Sequence, residues 1–106
     1  MRENTTTATN TKTTPSPVRF ALGMLFITPG AIDVLRESGE SAQEFFSQHA
    51  RLDQGSLSDA DHRENLFSVD KQLRIFSSFK TKGGIKLWVI TEADRSATTL
   101  LLPSEY

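Results

Sequence analysis

The residues best able to do chemistry lie together in one predicted turn near the end of the chain. This turn contains Glu92, Asp94, Arg95 and Ser96, and the chain later reaches Tyr106. Two carboxylates at such spacing can serve general acid–base catalysis when a cleft shifts their pKa values. In a turn, however, an aspartate beside an arginine more often accepts backbone N–H groups. The pattern therefore favours a structural or partner-binding role over a catalytic one.

Only two histidines, His49 and His62, are available for acid–base or metal chemistry, and the chain has no cysteine. Their spacing matches no metal-binding motif, and the chain contains no P-loop, no GxGxxG and no GxSxG sequence. His49 lies on the apolar side of a predicted helix, which indicates a buried structural histidine. His62 lies among charged residues and is expected to be solvated. We therefore expect neither a metal nor a cofactor.

A strand followed by Thr28-Pro29-Gly30 offers a weaker candidate site. Threonine is a common N-cap residue, and proline suits the first helical position. The free amides at such a helix start can hold an anion, although any capped helix offers the same groups.

Composition limits the function classes further. The chain has 106 residues, enough for one domain, and a net charge of −1 from 12 basic and 13 acidic residues. A nucleic-acid-binding protein usually has a basic excess, so generic phosphate binding is not favoured. No apolar run is long enough to cross a bilayer, and no secretory signal is present. We expect a cytoplasmic protein.

The chain divides into a tail and one domain. Residues 1–17 are rich in Thr and Asn and are predicted to be a disordered tail. Residues 18–106 are predicted to form a single α+β domain. Its first strand is predicted over residues 18–27, with Phe20, Leu22 and Met24 on one face and Gly23 marking a bulge or a close backbone approach. This strand could pair with the rest of the sheet or with a second copy in a homodimer.

Three helices and three strands are predicted after this strand. The first helix begins at Thr28, ends at Gly39 and turns Ile32 and Leu35 inward; the second begins with a capping box at Ser41. The third, over residues 59–69, carries Leu66, Phe67 and Val69 late in its length. The order β-α-α-α-β-β-β predicts an antiparallel sheet of three or four strands packed on helices.

Trp88 decides whether the sheet displays a binding surface. Large aromatic side chains mostly anchor cores, so we expect Trp88 to lie beneath the helices. The alternative places Trp88 on the open face with Phe76, where the two would form an apolar patch typical of a partner site.

The final segment, WVITEADRSATTLLLPSEY from Trp88 to Tyr106, resembles the C-terminus of small uncharacterised proteins of bacterial plasmids and integrative conjugative elements. The resemblance continues in residues 27–31, 49–51 and 63–65. It implies an accessory protein of a mobile genetic element. Small proteins of such elements often bind a host or rival protein, including defence nucleases.

The residues and the resemblance together favour a non-enzymatic protein-binding accessory protein, of an anti-restriction or anti-CRISPR type. The predicted partner-binding residues are Glu92, Asp94, Arg95, Trp88, Tyr106 and His62. One alternative is a RelE-like ribonuclease toxin of a toxin–antitoxin pair that uses His62, Arg95 and Tyr106. A second alternative is a nucleic-acid-binding accessory, which requires five cations on one side of the domain: Arg19, Arg74, Lys80, Lys82 and Lys86.

Overall fold

The computed structural model describes residues 18–53 and 58–106. The predicted tail, residues 1–17, lies outside the described residues, as does most of the predicted loop before the third helix. The described chain is an α+β fold, as predicted. Its elements are, in order, β1 (Met24–Ile27), α1 (Pro29–Ser38), α2 (Ala42–Ala50), α3 (Asp59–Lys71), β2 (Ile75–Lys80), β3 (Lys86–Thr91), β4 (Ala97–Leu101) and a short 3₁₀ helix (Pro103–Glu105).

The sheet has the strand order β1-β4-β3-β2. Strands β2, β3 and β4 form the predicted antiparallel meander. Strand β1 pairs with β4 in parallel, so the sheet is mixed and the prediction of a purely antiparallel sheet is wrong. Three helices separate β1 from the meander, and a connection of that length permits parallel pairing, which a tight turn does not.

Strand β1 is much shorter than predicted because the chain changes direction at Gly23. This glycine has a φ of 68°, and a Cβ atom there would lie 2.4 Å from the Ser96 carbonyl oxygen, which confirms the predicted close approach. The change of direction interrupts the alternation, so the predicted common face is wrong. Phe20 is buried in the core, whereas Met24 is 67% exposed.

The helices begin at the predicted N-cap residues, and α1 ends at the predicted glycine. The side chains of Thr28, Ser41 and Ser58 each accept a hydrogen bond from an amide in the first turn of α1, α2 and α3. Gly39 ends α1 with a φ of 71°, in the left-handed region that glycine adopts without strain.

The core lies between helices α1 and α2 and one face of the sheet. Eight buried side chains form its main cluster: Ala31, Leu35, Phe45, Phe46, Phe79, Leu87, Val89 and Leu100. The inward position predicted for Leu35 is confirmed, but Ile32 is 40% exposed, so its predicted position is wrong.

Helix α3 packs on the sheet through polar residues as well as through Val69, which is half-buried against the cluster of Phe20, Leu52 and Ile75. Leu66 and Phe67 are exposed, whereas Asn65 and Ser68 are buried. The Asn65 side-chain amide donates to the Phe76 carbonyl oxygen, and its Oδ1 accepts from the Phe76 amide at 3.2 Å. Because this amide pairs as a neighbouring strand would, it covers part of the outer edge of β2.

None of the helices within residues 18–53 and 58–106 is long and apolar enough to cross a membrane.

The start of α1 is held by the carboxylate of Glu105. Oε1 accepts hydrogen bonds from the Thr28 hydroxyl at 2.5 Å and from the Leu102 amide at 2.9 Å, and Oε2 accepts from the Gly30 amide at 3.0 Å. The Thr28 hydroxyl, followed by the Leu102 amide, holds the pKa of Glu105 below its usual value. The predicted anion-binding position therefore holds a side chain of the same chain.

Gly30 allows this contact because it has no side chain. A Cβ atom at Gly30 would lie 2.7 Å from Glu105 Oε2 and 2.8 Å from Leu102 Cδ1. Both atoms are the ends of side chains, so the added methyl group would displace the Glu105 carboxylate from the Gly30 amide. We therefore predict that Gly30→Ala lowers the free energy of unfolding by about 1 kcal/mol, the net contribution of one hydrogen bond. Urea unfolding followed by circular dichroism would measure this loss.

The matched control is Gly83→Ala. A Cβ atom at Gly83 would meet only Thr81 Oγ1, at 3.9 Å, which is an ordinary contact. We expect little change for this variant. Equal stability of the two variants would contradict the steric role assigned to Gly30.

Candidate functional site

Trp88 lies on the face of the sheet opposite the helices, which we call the open face. Its neighbours Leu87 and Val89 are fully buried in the core, and alternation along β3 directs the side chain between them to the other side. The expectation that Trp88 lies beneath the helices is therefore wrong. The alternative position of Trp88 is confirmed, because Phe76 contacts Trp88 on the open face with ring centroids 5.1 Å apart.

Five residues on the open face line a concave site that we call the aromatic pocket: Arg74, Phe76, Trp88, Ile90 and Tyr106. Its volume is about 310 Å³. The three rings meet edge to face, with interplanar angles of 77° for Phe76 on Trp88 and 74° for Trp88 on Tyr106. Such arrangements satisfy the charge distribution of aromatic rings and give the pocket a defined shape.

Tyr106 reaches the pocket because the residue before it is anchored. The Glu105 carboxylate holds the 3₁₀ helix against the start of α1. The amide of Tyr106 donates to the Pro103 carbonyl oxygen at 3.2 Å, which continues this turn. Tyr106 is 69% exposed, yet its ring lies 5.8 Å from that of Trp88, so one wall of the pocket is open to solvent.

Positive charge borders the aromatic pocket. The guanidinium of Arg74 lies 5.7 Å from the centre of the Tyr106 ring, and its Nε lies 3.9 Å from Glu92 Oε1. Both partners of this ion pair are about half exposed, so it stabilises the fold little. Lys80 and Lys86 are cross-strand partners and, by alternation, also lie on the open face. We call Arg74, Lys80 and Lys86 the cationic rim.

A second groove, of about 340 Å³, continues from the aromatic pocket along α3. The two sites share Arg74 and Phe76, and the groove adds Asp61 and Glu64 from the helix. The surface beyond Arg74 is therefore acidic, so a ligand that spans both sites would meet charges of both signs.

Arg95 has a structural position in the turn. Its Nη1 donates to the carbonyl oxygens of Leu73, Glu92 and Ala93 at 2.7, 3.1 and 3.1 Å, and its Nη2 donates to that of Ser68 at 3.2 Å. These bonds tie the turn to the end of α3. The guanidinium also lies 5.7 Å from the centre of the Phe20 ring, a core residue on the helix side of the sheet.

Asp94 also behaves as predicted for a turn residue. Its Oδ1 accepts a hydrogen bond from the Ser96 amide at 3.0 Å. The Ser96 side chain, followed by this amide, lowers the pKa of Asp94 from its usual value, and the carboxyl group is exposed to solvent.

The structure thus brings together only part of the predicted site. Trp88 and Tyr106 form the aromatic pocket, and Glu92 joins them through Arg74. Arg95 faces the helix side, away from Tyr106, so the two do not share a pocket as the ribonuclease alternative requires. That alternative stays a prediction, as does the role of His62, which is half-buried on α3.

The sequence analysis named Arg74 only as a cation of the nucleic-acid alternative, and it missed Glu105 as a site residue. Arg74 precedes Phe76 by two positions, and this spacing places both on one face of the strand. No local signal points to Glu105, because its partners lie 75 and 77 positions earlier in the chain.

The second candidate for chemistry is His49, which is fully buried. Its Nδ1 lies 2.5 Å from Ser77 Oγ, and its Nε2 lies 2.8 Å from Thr91 Oγ1. Thr91 Oγ1 lies 2.6 Å from Thr98 Oγ1, and the Thr98 hydroxyl donates to the Leu22 carbonyl oxygen at 2.7 Å. We call this series the His49 chain.

The last bond of the His49 chain sets the direction of the others. Because Thr98 gives its proton to a carbonyl, it can only accept from Thr91, and Thr91 in turn accepts from Nε2–H of His49. Burial keeps the histidine neutral, so Nδ1 carries no proton and accepts from the Ser77 hydroxyl; the histidine is therefore the Nε2–H tautomer. Burial lowers the pKa of His49 to about 3, which agrees with this state.

A serine beside a histidine is also the arrangement of a nucleophile and its base. Here Ser77 and His49 are both fully buried, so no substrate reaches them. The predicted structural role of His49 agrees with this geometry. Within the described parts of the chain, no group of three or more His, Cys, Asp or Glu side chains is placed to hold a metal ion.

Comparison of the chain with models of protein families, with curated proteins and with solved structures gives no match.

The His49 chain predicts a difference between two adjacent threonines. Thr98→Val removes the acceptor of the Thr91 hydroxyl and leaves the Leu22 carbonyl without its donor, so we expect a loss of about 1–3 kcal/mol in the free energy of unfolding. Thr99→Val is the matched control, because Thr99 lies on the other face and is only half-buried. Denaturant unfolding of both variants tests this; a similar loss in both would contradict the proposed chain of bonds.

The lowered pKa of His49 predicts how stability depends on pH. Above pH 6.5 the histidine is neutral in both states; between pH 6.5 and about 3 the unfolded state binds a proton that the folded state excludes. Stability therefore falls on acidification, by up to about 1.4 kcal/mol per pH unit. The pKa values of Glu105 and Asp94 are lowered from 4.5 and 3.8. The stability that these two carboxylates contribute is therefore present above those pH values and is lost as the pH falls below them.

Urea unfolding between about pH 5 and pH 6.5 separates the effect of His49 on stability from the effects of Glu105 and Asp94. We expect His49→Phe to be less stable at neutral pH and to lose most of the slope in this range. An unchanged slope in the variant would show that another group takes up the proton.

Proposed function

We propose that the protein is a non-enzymatic binding protein whose aromatic pocket accepts an apolar side chain of a partner protein. The observation that supports this most is the position of Trp88, which lies on the open face beneath Tyr106. Tryptophan, tyrosine and arginine are the residues that most often dominate binding energy at protein interfaces, and Arg74 supplies the third. The pocket is largely apolar and has one solvent-exposed wall, so an entering side chain would be desolvated.

The charges around the pocket indicate what should flank this side chain. The cationic rim favours carboxylates in the partner, because complementary charge speeds encounter and sets orientation. A partner segment with an apolar anchor and an acidic residue on the side of Lys80 and Lys86 therefore fits the surface best, because the groove on the other side carries Asp61 and Glu64. Glu92 is already paired with Arg74, so the acidic turn contributes less than its composition suggests.

The resemblance to accessory proteins of mobile genetic elements indicates which kind of partner the protein would bind and where. The partner would be a protein of the bacterial host or of a rival element, such as a defence nuclease, met in the cytoplasm. Binding that covers a working surface of such a nuclease would inhibit or modulate it. This part of the proposal depends on the resemblance and not on the pocket.

Trp88 is the only tryptophan of the chain, so its fluorescence reports directly on the aromatic pocket. We predict that a partner captured from a bacterial host shifts Trp88 emission to shorter wavelength when titrated as a purified protein. Tyr106→Ala removes one wall of the pocket and should weaken binding at least tenfold, or about 1.4 kcal/mol. Calorimetry or the fluorescence titration would measure this.

The matched control is Phe67→Ala. Phe67 is an aromatic residue of comparable exposure, 51%, but it lies on α3. The Phe67→Ala variant should bind the partner with the same affinity as the unaltered chain. A partner that binds both variants equally, without changing Trp88 emission, would place the interface elsewhere.

A nucleic-acid-binding accessory is the second candidate, and one observation favours it. Three of the five cations predicted for that role, Arg74, Lys80 and Lys86, lie on the open face with the aromatic rings. Arg19 and Lys82 are tied to the helix layer through hydrogen bonds of their amides to Ala50 and Glu40. The rings meet edge to face, and Arg74 lies over Tyr106, so open ring faces for base stacking are few.

Titration with single-stranded oligonucleotides separates the two candidates. Nucleic-acid binding predicts Trp88 quenching at low salt that weakens steeply as salt is added and is reduced by Lys86→Gln. No quenching at low salt would remove this candidate and leave protein binding.

A further inference from the structure

Strand β1 is a short edge strand whose residues are apolar and exposed. It ends the sheet order, and its four residues, Met24, Leu25, Phe26 and Ile27, are 67%, 52%, 48% and 36% exposed. They include no charge and no proline, the usual devices against edge pairing. The opposite edge differs: Asn65 bonds to the backbone of β2, and this strand ends at Lys80.

The backbone of β1 offers hydrogen-bonding groups on its outer side. The amides of Met24 and Thr28 donate to β4 and its flanks, at 3.0 Å to the Ser96 carbonyl and 3.1 Å to the Leu100 carbonyl. In a parallel ladder alternate residues direct both their groups to the same neighbour, so Phe26 also faces β4. Leu25 and Ile27 therefore direct their amides and carbonyls outward, where no group of the described residues bonds to them.

We propose that this edge pairs with the same edge of a second copy of the chain. The two strands would run antiparallel about a twofold axis at Phe26. Leu25 then lies opposite Ile27 of the other copy, and each such pair exchanges two hydrogen bonds, four in all. Phe26 faces its counterpart directly, as a non-hydrogen-bonded aromatic pair.

The strand boundaries select this register. Moving the axis to Ile27 would require an amide from Pro29, which has none. Moving it to Leu25 would require extended backbone at Gly23, whose φ is 68°. The outward groups of β1 are thus complementary to themselves in one alignment, which is the property of a twofold interface.

The surface next to β1 can add to this contact. A groove of about 610 Å³ lies between β1 and α2, and its lining includes Leu25, Ile27 and Phe46. Val18, also in this lining, is 66% exposed. Strand β1 has only four residues, so the pairing itself is small beside the roughly 600 Å² per partner of the smallest specific interfaces. We therefore expect a dimer whose population depends on concentration.

Cysteine cross-linking tests the pairing and its register, because the chain has no cysteine of its own. In Phe26→Cys the two Cα atoms would lie about 4.5 Å apart, within the range of a disulfide. In Met24→Cys they lie on opposite sides of the axis, roughly 13 Å apart along the strands. Mild oxidation should give a covalent dimer of twice the 11.8 kDa chain mass for the first variant only.

Sedimentation equilibrium provides a second, cysteine-free measurement. The unaltered chain should show a mass between one and two chains that rises with concentration. Phe26→Lys places two like charges opposite each other and should lower the association constant at least tenfold, whereas Phe67→Lys on α3 should not change it. A monomer at all concentrations, or equal cross-linking of the two cysteine variants, would overturn the proposal.

Discussion

The contact of the Glu105 carboxylate with the start of α1 is the interaction on which the candidate site depends. Two oxygens of one side chain accept from the Thr28 hydroxyl and from the amides of Gly30 and Leu102. A carboxylate at a helix N-terminus meets unpaired amides and the positive end of the helix dipole, so the contact is favourable where it is formed. It also holds the 3₁₀ helix, and the next residue is Tyr106. The same contact therefore completes the fold and builds one wall of the aromatic pocket.

The interior of the molecule has a different organising element, the His49 chain. Its members come from α2 and from all three strands of the meander, and it ends on the backbone before β1. Each ring nitrogen has one partner, the Thr91 and Thr98 hydroxyls each have two, and every proton points the same way, so a change of strand register would leave buried polar atoms unpaired. A neutral, enclosed histidine of this kind specifies how the layers meet. The serine and histidine that resemble a catalytic pair are thus buried within the fold, while the aromatic rings and cations lie on the open face.

Sequence reasoning succeeded where the cause of structure is local and failed where it is distant. The cap residues Thr28, Gly39 and Ser41 act within one turn, so their positions identify helix ends correctly. Strand β3 is apolar on both faces, because Leu87 and Val89 lie on one face and Trp88 and Ile90 lie on the other. Periodicity therefore predicts the strand but does not indicate which of its faces the helices cover. The role of Glu105 depends on residues at the other end of the domain. Nothing in its neighbours could have revealed that role.

The unprotected edge and the aromatic pocket are linked by the geometry of the sheet. Pairing through β1 would give one continuous sheet of eight strands, in which both open faces lie on the same side. Each pocket is centred on β3, so five strand spacings separate the two, roughly 24 Å. Two sites held at a fixed distance bind a repeated or dimeric partner more tightly than either site does alone, because the second contact forms within the complex. A small interface at β1 would then be strengthened by the partner itself, since binding across both pockets and pairing of the edges stabilise each other.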